Sequence, residues 1–405
     1  MRAGDSDSDR GLKGAGMRLV AGLLCALIAA PVAAAPCGGN FQDFVAAMKA
    51  EALVNGQDSA AISAFFDAAS VDPAVLKADR SQSVFRKTFL EFSKALISKS
   101  RISNGAALAK DWDAVFDRAA KDYGVPRGIL LAFWAFETDF GAVQGDFNTR
   151  NALVTLAQDC RRPELFQPQV LAAIELTSKG MFDPARTQGA WAGEIGMVQM
   201  LPRDILDRGV DGDGDGLISL KTSVPDALLS GANMLQSLGW RSGEPWLQEV
   251  TLPDGLDWSQ TGLETQLSVG EWTKLGVVGR RADLPDTALK ASVLLPQGRR
   301  GPAFLAFPNF NVLFEWNKSF VYVTTAAYFA TRLEGADVYD AGAPDAALSQ
   351  DQMIALQEKL AALGYDVGKI DGILGAATRS AVQKEQTRLG LPADAWPTAA
   401  LLDRL

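Results

Sequence analysis

The segment ILLAFWAFETDFG (Ile129–Gly141) runs eight apolar residues, Ile129 to Phe136, straight into one carboxylate, Glu137. An unpaired acid in apolar surroundings is costly, and the usual relief is a raised pKa. On a helix, Phe133 lies one turn before Glu137 and Trp134 three residues before it, so the carboxyl faces aromatic surface. Glu137 is then either a helix-end acid that escapes to water just before Gly141, or an acid tuned to donate its proton near neutral pH. The chain has no histidine. That excludes Ser-His-Asp hydrolases, Cys-His proteases and His-ligated zinc enzymes, and leaves acid–base work to Asp, Glu, Lys, Tyr or Cys.

Three further segments carry residue types suited to a site. GAWAGEIGMVQMLPRDIL (Gly189–Leu206) clusters glycines around Trp191 and Glu194, then places Gln199 and Pro202. Glycines allow close backbone approach to a ligand. Gln199 can hydrogen-bond a sugar or an attacking hydroxyl, and Glu194 is the nearby rival to Glu137 as acid. An ordinary loop before a helix fits the same pattern. DGDGDGLISLKT (Asp211–Thr222) follows a calcium loop, with Asp211, Asp213 and Asp215 at positions one, three and five, Gly216 at six and Leu217 at seven. Thr222 stands where a bidentate Glu belongs, so the expectation is a weak Ca2+ site or a plain Asx/Gly turn. FPNFNVLFEWNKSFVY (Phe307–Tyr322) mixes aromatic rings with Asn309, Asn317, Ser319 and Tyr322, which suits the apolar faces and hydroxyl edges of a carbohydrate, or equally a core segment entering a helix.

The elements that must position these residues read as mainly helical. FQDFVAAMKAEALVNG has helical apolar spacing and stops at Asn55-Gly56, and SVFRKTFLEFSKALISKS repeats the pattern. DWDAVFDRAAKDYGVP ends at Gly124, and the next helix carries Ile129 to Glu137. Residues 152–179 and 224–239 read as helical, residues 245–323 as mixed with short strands such as ASVLLP, and VYVTTAAYFATRL as a closing helix. Residues 336–347 are small, polar and Gly/Pro-bearing and read as a linker. A compact unit follows at 348–405, with helices at QDQMIALQEKLAALG and AATRSAVQKEQTRLG around the turn KIDGILG.

Bulk composition sets the outer bounds. The chain has 405 residues, 48% hydrophobic and 21% charged, enough for one large core and a second small domain. A formal charge of −9 disfavours nucleic acid as a partner. At the N-terminus, Arg18 precedes the apolar run LVAGLLCALIAA, and PVAAAPC follows. Residues 1–35 read as a secretory signal cleaved near Ala34 or Ala35, with Met17 as the start, because twelve apolar residues are too few to span a bilayer. The expected location is therefore periplasmic. Pro36 before Cys37 disfavours a lipid anchor there. Export leaves two cysteines, Cys37 and Cys160, which invite one disulfide over two free thiols.

GVPRGILLAFWAFETDFG, QDCRRPELF, GAWAGEIGMVQMLP, VDGDGDGLISL, PDALLSGANMLQSLGW and GPAFLAFPNFNVLFEWNKS occur in the order expected of the lytic transglycosylase B family of peptidoglycan-cleaving enzymes, and the chain resembles that family over residues 40–335. The tail LQEKLAALGYDVGKIDGILGAATRSAVQKEQTRLGL resembles a three-helix peptidoglycan-binding domain. The resemblance implies a mainly α (α+β) fold: a lysozyme-like catalytic domain at 36–335 with a helical bundle and a small mixed subdomain, then the linker and the C-terminal domain. It implies cleavage of the β-1,4 bond between N-acetylmuramic acid and N-acetylglucosamine, with formation of a 1,6-anhydro ring and no required cofactor. Glu137 would be the sole acid/base. Gln199, Asn317, Tyr322, Trp191 and Asn148 would contact or support the substrate, Phe140 less directly. Partners would be glycan strands, stem peptides and other cell-wall enzymes, with the chain a monomer. In the tail, Arg379, Gln357 and Asp371 are candidate wall contacts, although Asp371-Gly372 also suits a tight turn.

The family pattern is broken at Ala190, where Ser is usual, at Met234, where Tyr is frequent, and at Trp316. Two other readings stand beside the first. One is a lysozyme-type hydrolase, which needs a second carboxylate about 5 Å away if retaining and roughly 6.5–9.5 Å away if inverting. The other is a non-catalytic wall-binding scaffold.

Overall fold

The computed structural model of the chain describes residues 35–81 and 87–405. The expected signal segment lies outside these residues except for Ala35. No helix among the described residues is long and apolar enough to cross a membrane.

Local chemistry sets most helix boundaries. Helix Phe41–Val54 starts where the Asn40 side chain accepts from the backbone of Gln42, and it ends at Asn55. Helix Asp113–Tyr123 closes on Gly124 at φ 72°, a left-handed position that glycine adopts without strain. Helix Arg127–Thr138 follows directly and carries Glu137 in its last turn.

Two segments that read as helical each form two helices. The described part of the 83–100 segment forms Phe89–Leu96 and Lys99–Asp111, because Thr88 and Glu91 build a capping box for the first while Ser98 caps the second. The 152–179 segment is shared between helices Thr149–Gln158 and Pro163–Ser178, with residues 159–162 between them. Pro163 disfavours helical backbone in the residue before it, which forces the break.

The helices enclose one large core. Helix Phe320–Leu333 lies against the acid-bearing helix so closely that a Cβ on Gly128 would stand 2.7 Å from the Ala330 carbonyl. The Gly128 amide donates to Glu334 Oε1 at 2.8 Å and locks the contact. The mixed region forms a five-stranded antiparallel sheet in the order Leu267–Ser268, Lys290–Leu294, Phe304–Ala306, Leu247–Thr251, Val278–Gly279. The expected strand at ASVLLP is the second of these. A separate small core around the fully buried Trp272 packs the sheet.

Cys37 and Cys160 form a disulfide that ties the N-terminal tail to the end of helix Thr149–Gln158. Gly38 N–H donates to the Gln158 carbonyl at 2.7 Å beside it.

The segment read as a linker has no regular secondary structure, yet it is tied down along its length. Tyr339 joins Phe89, Phe304 and Tyr328 in an aromatic cluster. The Asp340 amide donates to Glu249 Oε1 at 2.7 Å, and the Ala343 amide to the Arg300 carbonyl at 2.9 Å. Helices Gln350–Ala362, Ala376–Arg388 and Ala399–Leu402 then form a third core.

This C-terminal unit docks on the sheet region. Gln383 donates to the Thr261 carbonyl at 2.8 Å, and Trp396 donates to the carbonyl of Asp345 in the 336–347 segment at 3.0 Å. Arg379 donates to the Pro296 carbonyl at 2.6 Å with its guanidinium 4.4 Å from the Phe320 ring. Burial lowers the Arg379 pKa to about 9. Arg379 thus serves docking. Gln357 is fully buried, accepts from the amides of Asp371 and Gly372 and donates to the Thr378 hydroxyl, so it holds the turn between helices.

Candidate active site

Glu137 lies at the cleft end of helix Arg127–Thr138. The helix stops there because Asp139 and Phe140 both turn left-handed, at φ 51° and 60°. Asp139 points away and pairs with Arg101 at 2.9 Å. The Glu137 carboxyl is held from two other elements. Tyr322 donates its hydroxyl to Oε1 at 2.6 Å, and Trp316 donates its indole N–H to the same oxygen at 3.2 Å. Phe133, one turn back as the helical spacing requires, packs against Trp316 at 4.6 Å between ring centroids. The departure at Trp316 therefore retains a donor to the acid.

Burial raises the Glu137 pKa to about 7, against the downward pull of the Tyr322 and Trp316 hydrogen bonds, and the Glu194 charge adds a smaller upward push. Burial and the neighbouring carboxylate hold the Tyr322 phenol well above its ordinary value, so it remains a donor. Because Oε1 is taken by two donors, the exchangeable proton belongs on Oε2. A carboxylic acid with that pKa can protonate an ether oxygen and then accept a proton from a hydroxyl.

A cavity of about 1060 Å³ opens in front of the carboxyl. Trp191, Glu194, Gln199, Trp316 and Asn317 line it beside Glu137, and Met353, Ile373 and Leu374 of the C-terminal unit line it from across. Ala190 and Met234, the other two departures, also border it. Gln199 sits at φ 54°, a costly conformation for a residue with a Cβ. It is fixed there by a tight loop in which Ile195 and Met200 pair and the Gln199 side chain donates to the Gly196 carbonyl at 2.7 Å.

The sequence-derived residues thus divide. Glu137, Gln199, Asn317 and Trp191 meet at the cavity. Tyr322 is not in the lining but stands behind Glu137 as its partner. Asn148 is not in the lining either: its side-chain oxygen caps helix Thr149–Gln158 through the Asn151 amide at 2.9 Å. Phe140 packs edge-on against Trp134 at 5.7 Å. Arg162 was not singled out from sequence. It lines the cavity and, with Arg161, pairs with the buried Asp79.

Replacing Tyr322 with Phe removes a hydrogen bond that favours the charged form of Glu137. The alkaline limb of the pH profile of kcat/KM should then move upward from about 7, and the plateau rate should fall roughly tenfold. A pH–rate series on Tyr322→Phe with an unshifted limb would contradict this coupling.

In the aspartate loop, carboxylate oxygens of Asp211, Asp213 and Asp226 lie within 4.8 Å of one another. Asp215 is not in that group, and its Oδ1 instead accepts from the Leu217 amide at 2.8 Å. Leu217 has an exposed side chain. Thr222 bonds the Ser219 hydroxyl at 2.7 Å. Asp226 lies beyond the twelve-residue frame, so the loop pattern could not point to it. It is fully buried and accepts from the amides of Gly212 at 2.8 Å and Ser219 at 2.7 Å.

Comparison with known proteins places these features. The family described as Transglycosylase SLT domain matches residues 40–331, and a peptidoglycan binding domain matches residues 349–405. Membrane-bound lytic murein transglycosylase B of Escherichia coli (strain K12) is 27% identical over 233 residues, 57% of this chain. The match spans 63% of that relative's length. SltB3 from Pseudomonas aeruginosa, solved in complex with NAG-anhNAM-pentapeptide, is 37% identical with a TM-score of 0.83, covering 91% of this chain and 99% of that one. The lytic transglycosylase Slt35 of Escherichia coli, solved in complex with calcium, is 25% identical with a TM-score of 0.62, covering 74% of this chain and 96% of that one.

Proposed function

The chain belongs to the transglycosylase SLT-domain family, and on that premise we propose that it is a lytic transglycosylase that cuts peptidoglycan between N-acetylmuramic acid and N-acetylglucosamine. The observation that carries this reading is Glu137, a cleft carboxyl held by two donors on one oxygen with a pKa of about 7.

Glu137 Oε2–H protonates the glycosidic oxygen, and the C1–O bond to the leaving sugar breaks. Positive charge grows at C1 of the muramoyl ring, and its 2-acetamido group and the carboxylate now left on Glu137 steady it. Tyr322 and Trp316 stabilise that carboxylate as it forms. The carboxylate then takes the proton of the sugar's own C6 hydroxyl, whose oxygen closes on C1. That proton restores the acid form of Glu137, and a 1,6-anhydromuramoyl end is released. One carboxyl suffices, and no water is consumed. The C-terminal unit forms the opposite wall of the cleft and supports the stem peptides of the same strand. The protein acts as a monomer exported to the periplasm.

The test is a digest of purified peptidoglycan analysed by mass spectrometry. Products ending in 1,6-anhydromuramic acid support the reading. Reducing ends heavier by one water would replace it with a hydrolase, and binding without products would replace it with a scaffold.

Asp211, Asp213 and Asp226 would hold a Ca2+ ion, since three carboxylates at this spacing suit a hard cation. The ion would brace the loop and take no part in the chemistry. With Thr222 in place of the bidentate Glu, affinity should be weak, so 10 mM Ca2+ should raise Tm by roughly 2 °C. Asp213→Asn should abolish that rise. An unchanged melt of the wild type would leave the loop as a hydrogen-bonded turn.

A further inference from the structure

Glu194 is a second acid in the catalytic cleft that the scheme above does not use. Its backbone is fixed. The Glu194 carbonyl accepts from the Ala190 amide at 2.9 Å, and a Cβ on Gly189 would come within 2.1 Å of that same oxygen. Gly189 in turn belongs to a short strand paired with Phe147–Asn148. Glycines on either side, Gly193 at φ 89° and Gly196 at φ 84°, close the loop around it. Only the side chain is free to respond to a ligand.

That side chain borders the same cavity as Glu137 and Gln199. Its Oε2 is buried and has no hydrogen-bond partner in the protein. Buried carboxylate oxygens are almost always satisfied, and an exception calls for a reason. The nearby cation does not supply one: Arg162 is engaged by Asp79. Burial raises the Glu194 pKa as well, against the downward pull of the Glu194 and Ala192 backbone amides and of the Arg162 charge. The terminal torsion of a glutamate is soft, so a small rotation presents either oxygen to the cleft.

We propose that Glu194 is a sugar-contacting specificity residue: its carboxylate accepts a hydrogen bond from an N–H or O–H donor of a hexosamine ring bound in the cleft. The proposal rests on the transglycosylase reading, which fixes the ligand as a glycan. A site that satisfies a buried acceptor with the substrate's own donor discriminates strongly against rings lacking it. Glu194 then contributes to binding and positioning, and Glu137 alone moves the protons.

Binding and turnover separate these roles. In the Glu137→Gln background, which cannot turn over, titration calorimetry with N-acetylglucosaminyl-N-acetylmuramyl pentapeptide measures affinity. Adding Glu194→Ala should weaken it roughly tenfold to a hundredfold, and Glu194→Gln by less, because the amide oxygen still accepts. In the chain with Glu137 intact, kcat/KM should fall in parallel, and the product should remain the 1,6-anhydro species. Unchanged affinity in both variants would overturn the proposal, as would lost turnover with affinity intact, which would make Glu194 a participant in the chemistry. Should Glu194→Ala fail to fold, the near-isosteric Glu194→Gln decides alone. If the wild type releases no anhydro product while the glycan still binds through Glu194, the transglycosylase reading fails and the contact survives.

Discussion

Glu137→Gln should lower kcat/KM on peptidoglycan by roughly 10³–10⁴-fold while leaving the fold intact, because one carboxyl performs both proton transfers. In the wild type, kcat/KM should hold steady below pH 7 and fall about tenfold per unit above it, since the acid form is the active one and titrates near 7. The same variant has a thermodynamic signature. The Glu137 carboxyl has an ordinary pKa of 4.5, which the unfolded chain takes, and folding raises it to about 7. Below both values the carboxyl is protonated in either state and costs nothing. As pH rises from 4.5 towards 7, the unfolded chain ionises first, so the folded state loses stability, and the full penalty is present above 7. Gln carries no such penalty. Glu137→Gln should therefore stabilise the protein at pH 8 by about 3 kcal/mol, with no gain at pH 4. Denaturant titrations at the two pH values read this directly. A destabilised variant at pH 8 would mean that the acid is held for structure.

The second large effect is expected at the disulfide. Cys37 and Cys160 are separated by 123 residues, so the bridge removes considerable freedom from the unfolded chain. Replacing both cysteines with Ser should cost about 3–5 kcal/mol of unfolding free energy. The folded state gives little back, because the tail keeps only a few bonds of its own, such as Gln167 to the Ala35 carbonyl at 2.8 Å. Urea unfolding of the double variant, or of the wild type under reductant, measures the loss. A difference under about 1 kcal/mol would place the bridge's value in anchoring the tail rather than in global stability. Activity of the folded double variant should stay near that of the wild type, since the bridge lies on neither wall of the cleft.

The aspartate loop and the C-terminal unit show where reading by pattern stops. The loop's first two carboxylates were legible because calcium loops have fixed local spacing. Asp226 was not, because it arrives from the first turn of the next helix, Val224–Ser237, and only folding carries it under the loop. The segment at 336–347 has a linker's composition, yet Tyr339 alone gives it an aromatic anchor in the core. Arg379 offered the sequence a charge and a motif. The structure spends that charge on two backbone carbonyls of the sheet region.

By itself the sequence determined most of the elements and singled out the candidate acid. Apolar periodicity, capping residues and glycine stops act over a few residues, so they can be read in one dimension, and the absence of histidine left few candidates for proton transfer. It also determined the pairing of two cysteines. What only the tertiary structure decided is the state of that acid. The donors that hold Glu137 come from 179 and 185 residues further along the chain. The rise of its pKa to about 7 comes first from desolvation, which exists only when helices far apart in sequence close over the group. The same holds for Glu194. Its type and its glycine setting were visible in the chain, but an acceptor without a partner can be recognised only once every neighbour is in place.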